Sequence, residues 1–370
     1  MTSVNESIQA RQWINQMEPR FGQEEKQALT EYMDSGGWLT EYRKTHEFER
    51  MIADYVGSRY CAVLSNGTVT LFTALMALGV GPGDEVIVPD FTMIASANAV
   101  VLVGAKPVFV DISLSNLCLD LDLAEQAITP CTKTIMLVSL NGRSPDMHRV
   151  VELAQRHGLY LVEDAAQSLG SSYEGRHLGT FGHIGSFSFS APKVITTGQG
   201  GALVTDDAGL ADGIRKIKDF GRRQGGVDFY ETLGYNFKFT DLQAVVGIEQ
   251  MKKLNWRVQR KREMFALYRR ELMDVPQVGF IETSLEETSP WFIDVLVPDP
   301  KALGSFLKER EIGTRPFYPS IHSQPPYGVE GTFPVSNYVS AHGLWLPSSS
   351  FLSDEDITRI CREIKAFFSR

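Results

Sequence analysis

A lysine at the end of a predicted strand is the residue in this chain best placed for covalent chemistry. Lys193 follows the predicted strand 184–189 and precedes a turn that contains Gly198, Gly200 and Gly201. A lysine at the mouth of a sheet is partly removed from water, which favours the neutral amine over the ammonium form. A neutral amine can attack an aldehyde and hold it as a Schiff base. Taken alone, Lys193 is more readily interpreted as an ordinary surface lysine.

Two nearby segments could bind a phosphate group close to this lysine. The run 65–68 (SNGT) joins a predicted strand to a predicted helix. Free backbone N–H groups and the positive end of the helix dipole favour an anion there, although Thr68 would also serve as a plain helix cap. Ser188, five residues before Lys193, could donate its hydroxyl to the same phosphate. Each segment is weak alone, and together they indicate an anion site.

A carboxylate follows another predicted strand. An apolar strand ends in Glu163 and Asp164, and Gln167 lies three residues after Asp164. The carboxyl ends of strands in an open α/β sheet line the ligand crevice. A carboxylate there can pair with the protonated nitrogen of a pyridine ring, and an amide can reach the ring's phenolic oxygen. Asp164 and Gln167 also fit a helix capping box, so the local pattern leaves both roles open.

Alternating apolar and amphipathic segments predict an α/β fold with a mostly parallel sheet. The predicted strands are Tyr60–Leu64, Glu85–Val88, Pro107–Val110, Thr134–Leu140, Leu159–Val162, Ile184–Phe189 and Ala202–Thr205. The predicted helices between them include Val69–Leu78, Ile94–Gly104 and Met147–His157. Thr240 is predicted to cap one long helix that runs to about residue 271. A strand at Trp291–Val297 and a helix from Asp354 indicate a smaller α+β domain, which gives domains at 1–250 and 251–370.

Composition excludes several classes of protein. The formal net charge is −9 at pH 7 and there is no basic cluster, which argues against nucleic acid or an acidic membrane as the main partner. No run approaches the length of a membrane span, and the polar N-terminus does not look like a signal peptide, so a cytoplasmic location is expected. The four cysteines form no CxxC pair, and neither a disulfide framework nor a metal site is expected.

The order of these motifs resembles a known family. The segments SNGT, PDFTMIASANAV, GAKPVFVDI, VEDAAQSLGSSYEGRHLGTFGHIGSFSFSAPKVITTGQGG and GYNFKFTDLQAVVG are similar to those of DegT/StrS-type nucleotide-sugar aminotransferases. The resemblance extends over nearly the whole chain. It implies the fold-type-I architecture of pyridoxal 5′-phosphate (PLP) enzymes and a homodimer with composite active sites. It also implies glutamate as amino donor and a nucleotide-linked ketosugar as acceptor, with a 4-ketosugar favoured.

The resemblance also assigns roles to individual residues. Lys193 matches the Schiff-base lysine, which would then move a proton as general base and acid, and Asp164 matches the partner of the pyridine nitrogen. The remaining matches are Gln167 near the phenolic oxygen, Gly67, Thr68 and Ser188 at the phosphate, Asn236 at the phosphate bound by the neighbouring subunit, and Arg315 and His322 near the substrate.

Three positions depart from the family pattern. Met93 stands where many relatives have an aromatic residue against the pyridine ring. Lys238 replaces the arginine of a GYNYR motif, and Arg143 ends the segment SLNGR where many relatives read HLYGQ. Both cations are expected on the substrate side, where the planar guanidinium of Arg143 would suit a phosphate or carboxylate.

Two alternatives accompany the aminotransferase interpretation. A PLP-dependent sugar dehydratase of the same family would have histidine in place of Lys193, so the lysine favours transamination. A non-catalytic regulatory protein on the same fold would be expected to have lost Lys193 or Asp164, and both are present.

Overall fold

A seven-stranded sheet forms the centre of the molecule. The computed structural model describes residues 13–370. In chain order the strands are β1 (Tyr60–Leu64), β2 (Glu85–Pro89), β3 (Lys106–Val110), β4 (Thr132–Val138), β5 (Tyr160–Asp164), β6 (Ser172–Tyr173), β7 (Arg176–His177), β8 (Ile184–Ser188), β9 (Gly201–Thr205), β10 (Gly279–Phe280), β11 (Ile293–Leu296), β12 (Arg315–Pro316) and β13 (Gly343–Leu346). The central sheet has the order β1-β9-β8-β5-β4-β2-β3.

Five strands of this sheet run parallel to one another. The pairs β2–β3, β2–β4, β4–β5 and β5–β8 are parallel, whereas β9 is antiparallel to both β8 and β1. The parallel strands β2 and β4 are almost fully buried, because helices cover both faces of such a sheet. The predicted α/β class with a mostly parallel, seven-stranded sheet is therefore confirmed.

Helices account for most of the remaining chain. They are α1 (Gln23–Asp34), α2 (Arg43–Val56), α3 (Gly67–Ala77), α4 (Ala95–Leu102), α5 (Leu121–Gln126), α6 (Met147–Arg156), α7 (Ala208–Lys218), α8 (Asp241–Lys252), α9 (Leu254–Glu271), α10 (Pro300–Lys308), α11 (Pro334–His342) and α12 (Asp354–Phe368). Within residues 13–370, none of these helices has the length and apolar character needed to cross a bilayer.

The predicted long helix after Thr240 is wrong, because the helix is divided in two at Lys253. The predicted cap is present, since the Thr240 side chain accepts the N–H of Gln243 at 3.2 Å. The N–H of Lys253 bonds to Gln250, three residues back, which interrupts the regular α-helical ladder. The Lys253 amine pairs with Glu25 of α1 at 2.8 Å. This long-range contact has no local signal in the sequence.

A second, smaller sheet lies in the C-terminal part of the chain. Its order is β10-β11-β13-β12, and all three pairings are antiparallel. Its apolar core is shared with α9, α10 and α12. The predicted helix from Asp354 is present and is capped by Ser353. The division of the chain at residue 250 remains a prediction.

Candidate functional site

A cavity of about 390 Å³ lies at the carboxyl ends of the central strands. Arg315 of β12 in the smaller sheet also lines it, so both sheets contribute to the cavity wall. Its size falls in the range of small-molecule sites. Eight residues predicted for the site line this cavity, namely Gly67, Thr68, Met93, Asp164, Gln167, Ser188, Lys193 and Arg315.

Lys193 lies in the turn after β8, with its side chain facing the cavity. The residue is partly exposed to the cavity, but its amine is surrounded by protein, and this burial lowers the pKa of Lys193 to about 8. The charge of Asp164 raises the pKa and that of Arg315 lowers it. A pKa of about 8 leaves an appreciable neutral fraction near physiological pH, as the sequence predicted for a nucleophilic amine.

Asp164 is the last residue of β5 and is buried. Its Oδ2 accepts the hydroxyl of Ser96 at 2.7 Å, and its Oδ1 accepts the N–H of Ala166 at 3.2 Å. Burial raises the pKa of this carboxyl, while Ser96, Ala166 and the Lys193 amine oppose the rise. No helix follows Asp164 directly, so the capping-box alternative does not apply. A cationic group in the cavity would stabilise the carboxylate further.

The amide of Gln167 has a fixed orientation. Its Oε1 accepts the backbone N–H of Asn141 at 2.8 Å, which leaves the NH₂ group as its free donor. Asn141 has a φ of 54°, a left-handed conformation that asparagine tolerates better than most residues. The side chain of Asn141 also bonds the backbone N–H and C=O of Phe292, at 2.6 and 2.9 Å. One residue therefore links the cavity wall to the second sheet.

The N-terminus of α3 forms the end of the cavity predicted to bind phosphate. Asn66, not Thr68, caps this helix, because its Oδ1 accepts the N–H groups of Thr68 and Val69 at 3.0 Å. A Cβ on Gly67 would lie 2.8 Å from the Cβ of Ser188, so glycine permits the close approach of the two segments. Among residues 13–370, the Ser188 hydroxyl has only long contacts, of 3.4 Å, with Ser190. It is therefore available to an anion.

These residues fit the cofactor that the sequence predicts. Asp164 provides a buried carboxylate, Lys193 provides an amine of lowered pKa, and the Ser188 hydroxyl beside the positive end of α3 provides a donor for a phosphate. Met93 lines the same cavity and is 44% exposed. No cluster of three or more metal-ligating side chains occurs within residues 13–370.

Sequence reasoning missed several residues of the cavity wall. Trp291 and Tyr318 come from the part of the chain that builds the second sheet, and Asn66, Ser190 and Gln199 from the first. Tyr318 lies between Arg315 and His322, two positions already predicted near the substrate, and this proximity is a usable signal. Trp291 opens a predicted strand, but nothing in the sequence brings that strand to Lys193.

Arg143 does not line the cavity, and its expected place on the substrate side needs correction. Its guanidinium is 3% exposed and forms an ion pair with Asp294 of β11. It also donates to the carbonyl of Asn116 at 3.1 Å and to the hydroxyl of Thr283 at 3.3 Å. Asp294 accepts from both terminal nitrogens of Arg143, so this cation is fully engaged in joining the two sheets.

Asn236 and Lys238 do not line the cavity of this chain either. They lie in the segment that follows α7, where Asn236 forms a backbone bridge with Asp219. The Lys238 amine lies 2.8 Å from Asp219 and faces a separate cavity of about 550 Å³. Within one chain, Lys238 therefore lies apart from Lys193, and a role for either residue at the site requires a second subunit.

The two remaining predicted substrate residues differ in their surroundings. Arg315 lines the cavity, its guanidinium lies over the rings of Tyr318 and Trp345, and no carboxylate within 4.0 Å pairs with it in the described part of the chain. His322 is outside the cavity wall, with its Nδ1 2.6 Å from the buried carboxylate of Asp90. Arg315 is thus the cation free to bind an anion.

Comparison with known proteins gives matches along nearly the whole chain. The profile of the DegT/DnrJ/EryC1/StrS aminotransferase family matches residues 19–365. The chain is 35% identical over 361 residues to a GDP-perosamine synthase of Escherichia coli O157:H7, covering 96% of this chain and 99% of that protein. It is 34% identical to the spore coat polysaccharide biosynthesis protein SpsC of Bacillus subtilis, covering 94% and 95%.

A solved structure has the same fold. The S. venezuelae protein DesV, determined in complex with a ketimine intermediate, superposes with a TM-score of 0.90 at 34% identity. The match covers 94% of this chain and 95% of that one.

Proposed function

Since the chain belongs to the DegT/DnrJ/EryC1/StrS aminotransferase family, we propose that it transfers an amino group from glutamate to a nucleotide-linked 4-ketosugar. The observation that carries this proposal is the identity of 35%, over nearly the full length, to a GDP-perosamine synthase. The predicted family, the reaction class of sugar aminotransferase and the PLP cofactor are confirmed. The sugar, the nucleotide and the residue roles below belong to the proposal.

In this proposal different residues of the cavity bind different parts of the cofactor. Lys193 is the attachment point, Asp164 faces the pyridine nitrogen, and the NH₂ group of Gln167 faces the phenolic oxygen. Gly67, Thr68 and Ser188 hold the phosphate. Bound PLP supplies an electron sink for the bond broken at the α-carbon of the amino donor.

Lys193 also moves the proton. With a pKa of about 8, its displaced amine can accept a proton from the α-carbon of the amino donor and then donate that proton to another atom close to it. Lys193 thus acts first as a general base and then as a general acid. Asp164 stays ionised opposite a cation, because the positive charge offsets the effect of burial. Arg315, the unpaired guanidinium of the cavity, binds an anionic group of the substrate.

The proposal includes a homodimer with composite sites. The segments around Trp38 and Leu233 leave large apolar side chains exposed, and two of these, Trp38 and Tyr42, line the cavity near Lys238. The exposed side chains are Trp38, Leu39, Tyr42, Phe220, Val227, Phe229, Tyr230 and Leu233. We propose that these side chains form an apolar patch at the subunit interface, since large exposed apolar patches mark interaction sites. In the dimer, Asn236 would reach the phosphate bound by the partner.

A subunit-mixing experiment tests the composite site. Lys193→Ala and Asn236→Ala homodimers should each be nearly inactive. A heterodimer of the two restores one intact site, so random remixing should recover about one quarter of the wild-type activity. If remixing recovers nothing while native mass spectrometry shows heterodimers, Asn236 acts within its own subunit. An active Asn236→Ala homodimer would instead show that Asn236 has no role at the site.

A substrate panel tests the reaction. GDP-, UDP- and dTDP-linked 3- and 4-ketosugars would each be incubated with glutamate, and release of 2-oxoglutarate would be followed. We expect turnover with a 4-ketosugar, and with the GDP-linked form in particular. Turnover with only 3-ketosugars would contradict the position of amination, and no turnover with any of them would contradict the substrate class.

We further propose a cytoplasmic role in making an amino sugar for a surface polysaccharide such as an O-antigen. The relative named for spore coat polysaccharide biosynthesis supports this direction. All four cysteines are free, which suits a reducing compartment.

A further inference from the structure

Trp291 lies against the amine of Lys193. The Nζ atom of Lys193 is 4.0 Å from the centre of the tryptophan ring. The indole N–H donates to the carbonyl oxygen of Pro192, at 2.7 Å, and so binds the backbone next to the lysine. The ring also stacks on Phe292, with ring centres 3.8 Å apart and planes inclined by 21°. The tryptophan therefore contacts both the reactive side chain and the backbone that carries it.

A second lysine, fully buried in α9, fixes the backbone of Trp291. The Lys261 amine donates to the carbonyl oxygen of Trp291 at 2.8 Å and also to that of Ser348. Burial and, to a smaller extent, the charge of Arg257 lower the pKa of Lys261 to about 7. Burying a charged amine costs free energy, because the amine loses its contacts with water. The hydrogen bonds from the Lys261 amine to the two carbonyl oxygens offset this cost. These contacts tie Trp291 to the segment after β13.

We propose that Trp291 is a positioning residue that holds the displaced amine of Lys193 where proton transfer takes place. In this proposal Lys261 fixes Trp291 through its hydrogen bond to the Trp291 carbonyl oxygen. This inference rests on the proposed role of Lys193 as the cofactor lysine. The negative face of the indole attracts an ammonium group, which limits the positions of the side chain and offsets part of the effect of burial. Trp291 itself exchanges no proton.

Replacing the ring should change both the pKa and the rate. Trp291→Leu removes the attraction between the ring and the cation, so the pKa of Lys193 should fall by about one unit in the apoenzyme. We expect kcat to fall about 10-fold to 100-fold, while the KM for glutamate changes less than about 3-fold, because the ring acts on the proton transfer. Lys261→Met should give the same changes to a smaller extent.

The pKa can be measured without the cofactor. Apoenzyme would be treated with trinitrobenzenesulfonate over a range of pH, and modification of the Lys193 peptide would be followed by mass spectrometry. Trp256→Leu is the matched control, because Trp256 is 51% exposed in the neighbouring α9 and lies outside the cavity. An unchanged or raised pKa in Trp291→Leu, or a kcat equal to that of the control, would overturn the proposal.

Two further measurements cover a Trp291→Leu variant that fails to fold and test the role of Lys193 separately. If Trp291→Leu does not fold, Trp291→Phe keeps a ring but loses the bond to Pro192, and a kcat reduced several-fold is expected. A wild-type kcat in Trp291→Phe, in the absence of folded Trp291→Leu, would count against the proposal. Borohydride reduction of wild-type holoenzyme tests Lys193 separately, since labelling of another lysine contradicts the proposed site whatever Trp291 does.

Discussion

Removing the guanidinium of Arg143 should reduce stability rather than substrate binding. In Arg143→Ala, the carboxylate of Asp294 stays buried, at 1% exposure, without its cation. Breaking a buried ion pair by removing one partner costs about 3–5 kcal/mol. Lost donors to Asn116 and Thr283 act in the same direction. We therefore expect the free energy of unfolding to fall by about 3–5 kcal/mol and the KM for the ketosugar to stay within a factor of about two.

The assay combines urea unfolding with steady-state kinetics. Unfolding would be followed by tryptophan fluorescence, and the ketosugar KM would be measured on the fraction that remains folded. The double variant Arg143→Met/Asp294→Leu is the matched control, because it removes both charges and keeps apolar volume. Its stability should lie within about 1 kcal/mol of the wild type, since such replacements of buried pairs are often neutral.

A higher ketosugar KM without a loss of stability would contradict this structural role of Arg143. If Arg143→Ala unfolds at the wild-type urea concentration and its ketosugar KM rises 10-fold or more, the guanidinium binds substrate. The ion pair with Asp294 would then contribute little to stability in solution.

Three further predictions concern charge, pH and helix capping. Asp164→Asn should lower kcat about 100-fold or more while PLP remains bound, as judged by absorbance and single-turnover kinetics, because a neutral amide stabilises the pyridine cation poorly. Burial opposes ionisation of Glu49, but Lys218, His46 and the Val63 N–H together outweigh it and lower the pKa to about 2. A carboxyl with a lowered pKa stabilises the fold above its unfolded value of about 4.3, and this contribution is lost as the pH falls towards 2. Glu49→Gln should therefore flatten the loss of stability between pH 5 and pH 3 in urea titrations; an unchanged slope would contradict the assignment. Thr240→Ala should cost about 1 kcal/mol, measured by the same unfolding assay, because it removes the cap of α8.

The central sheet was predictable because its strands are short apolar runs bounded by turn residues. Strand β1 has the predicted bounds, and the start of β8 at Ile184 is also as predicted. The division between α8 and α9 was not predictable, because Lys253 is a good helix former and its partner Glu25 is 228 residues away. Local propensity carries no information about such a contact.

For the candidate site too, contacts between residues far apart in the chain could not be predicted from the sequence. Asp164, Ser188 and the N-terminus of α3 meet because strand ends of an open α/β sheet share one edge, a rule that sequence reasoning can apply. The pairing of Arg143 with Asp294 joins residues 151 positions apart and reverses the role expected from the side chain alone. The position of Trp291 depends on how the second sheet packs on the first, so only the structure could place it.

The shared wall of the cavity has a consequence for the order of events during synthesis. The site includes Asn66 near one end of the chain and Tyr318 near the other. Strand β1 must also wait for β9, because Leu64 pairs with Gly201. When Lys193 emerges from the ribosome, Trp291, Arg315 and strand β9 have not yet emerged. The reactive amine is therefore present before the rest of its site can form. Loading of the cofactor should accordingly be a late, post-translational step.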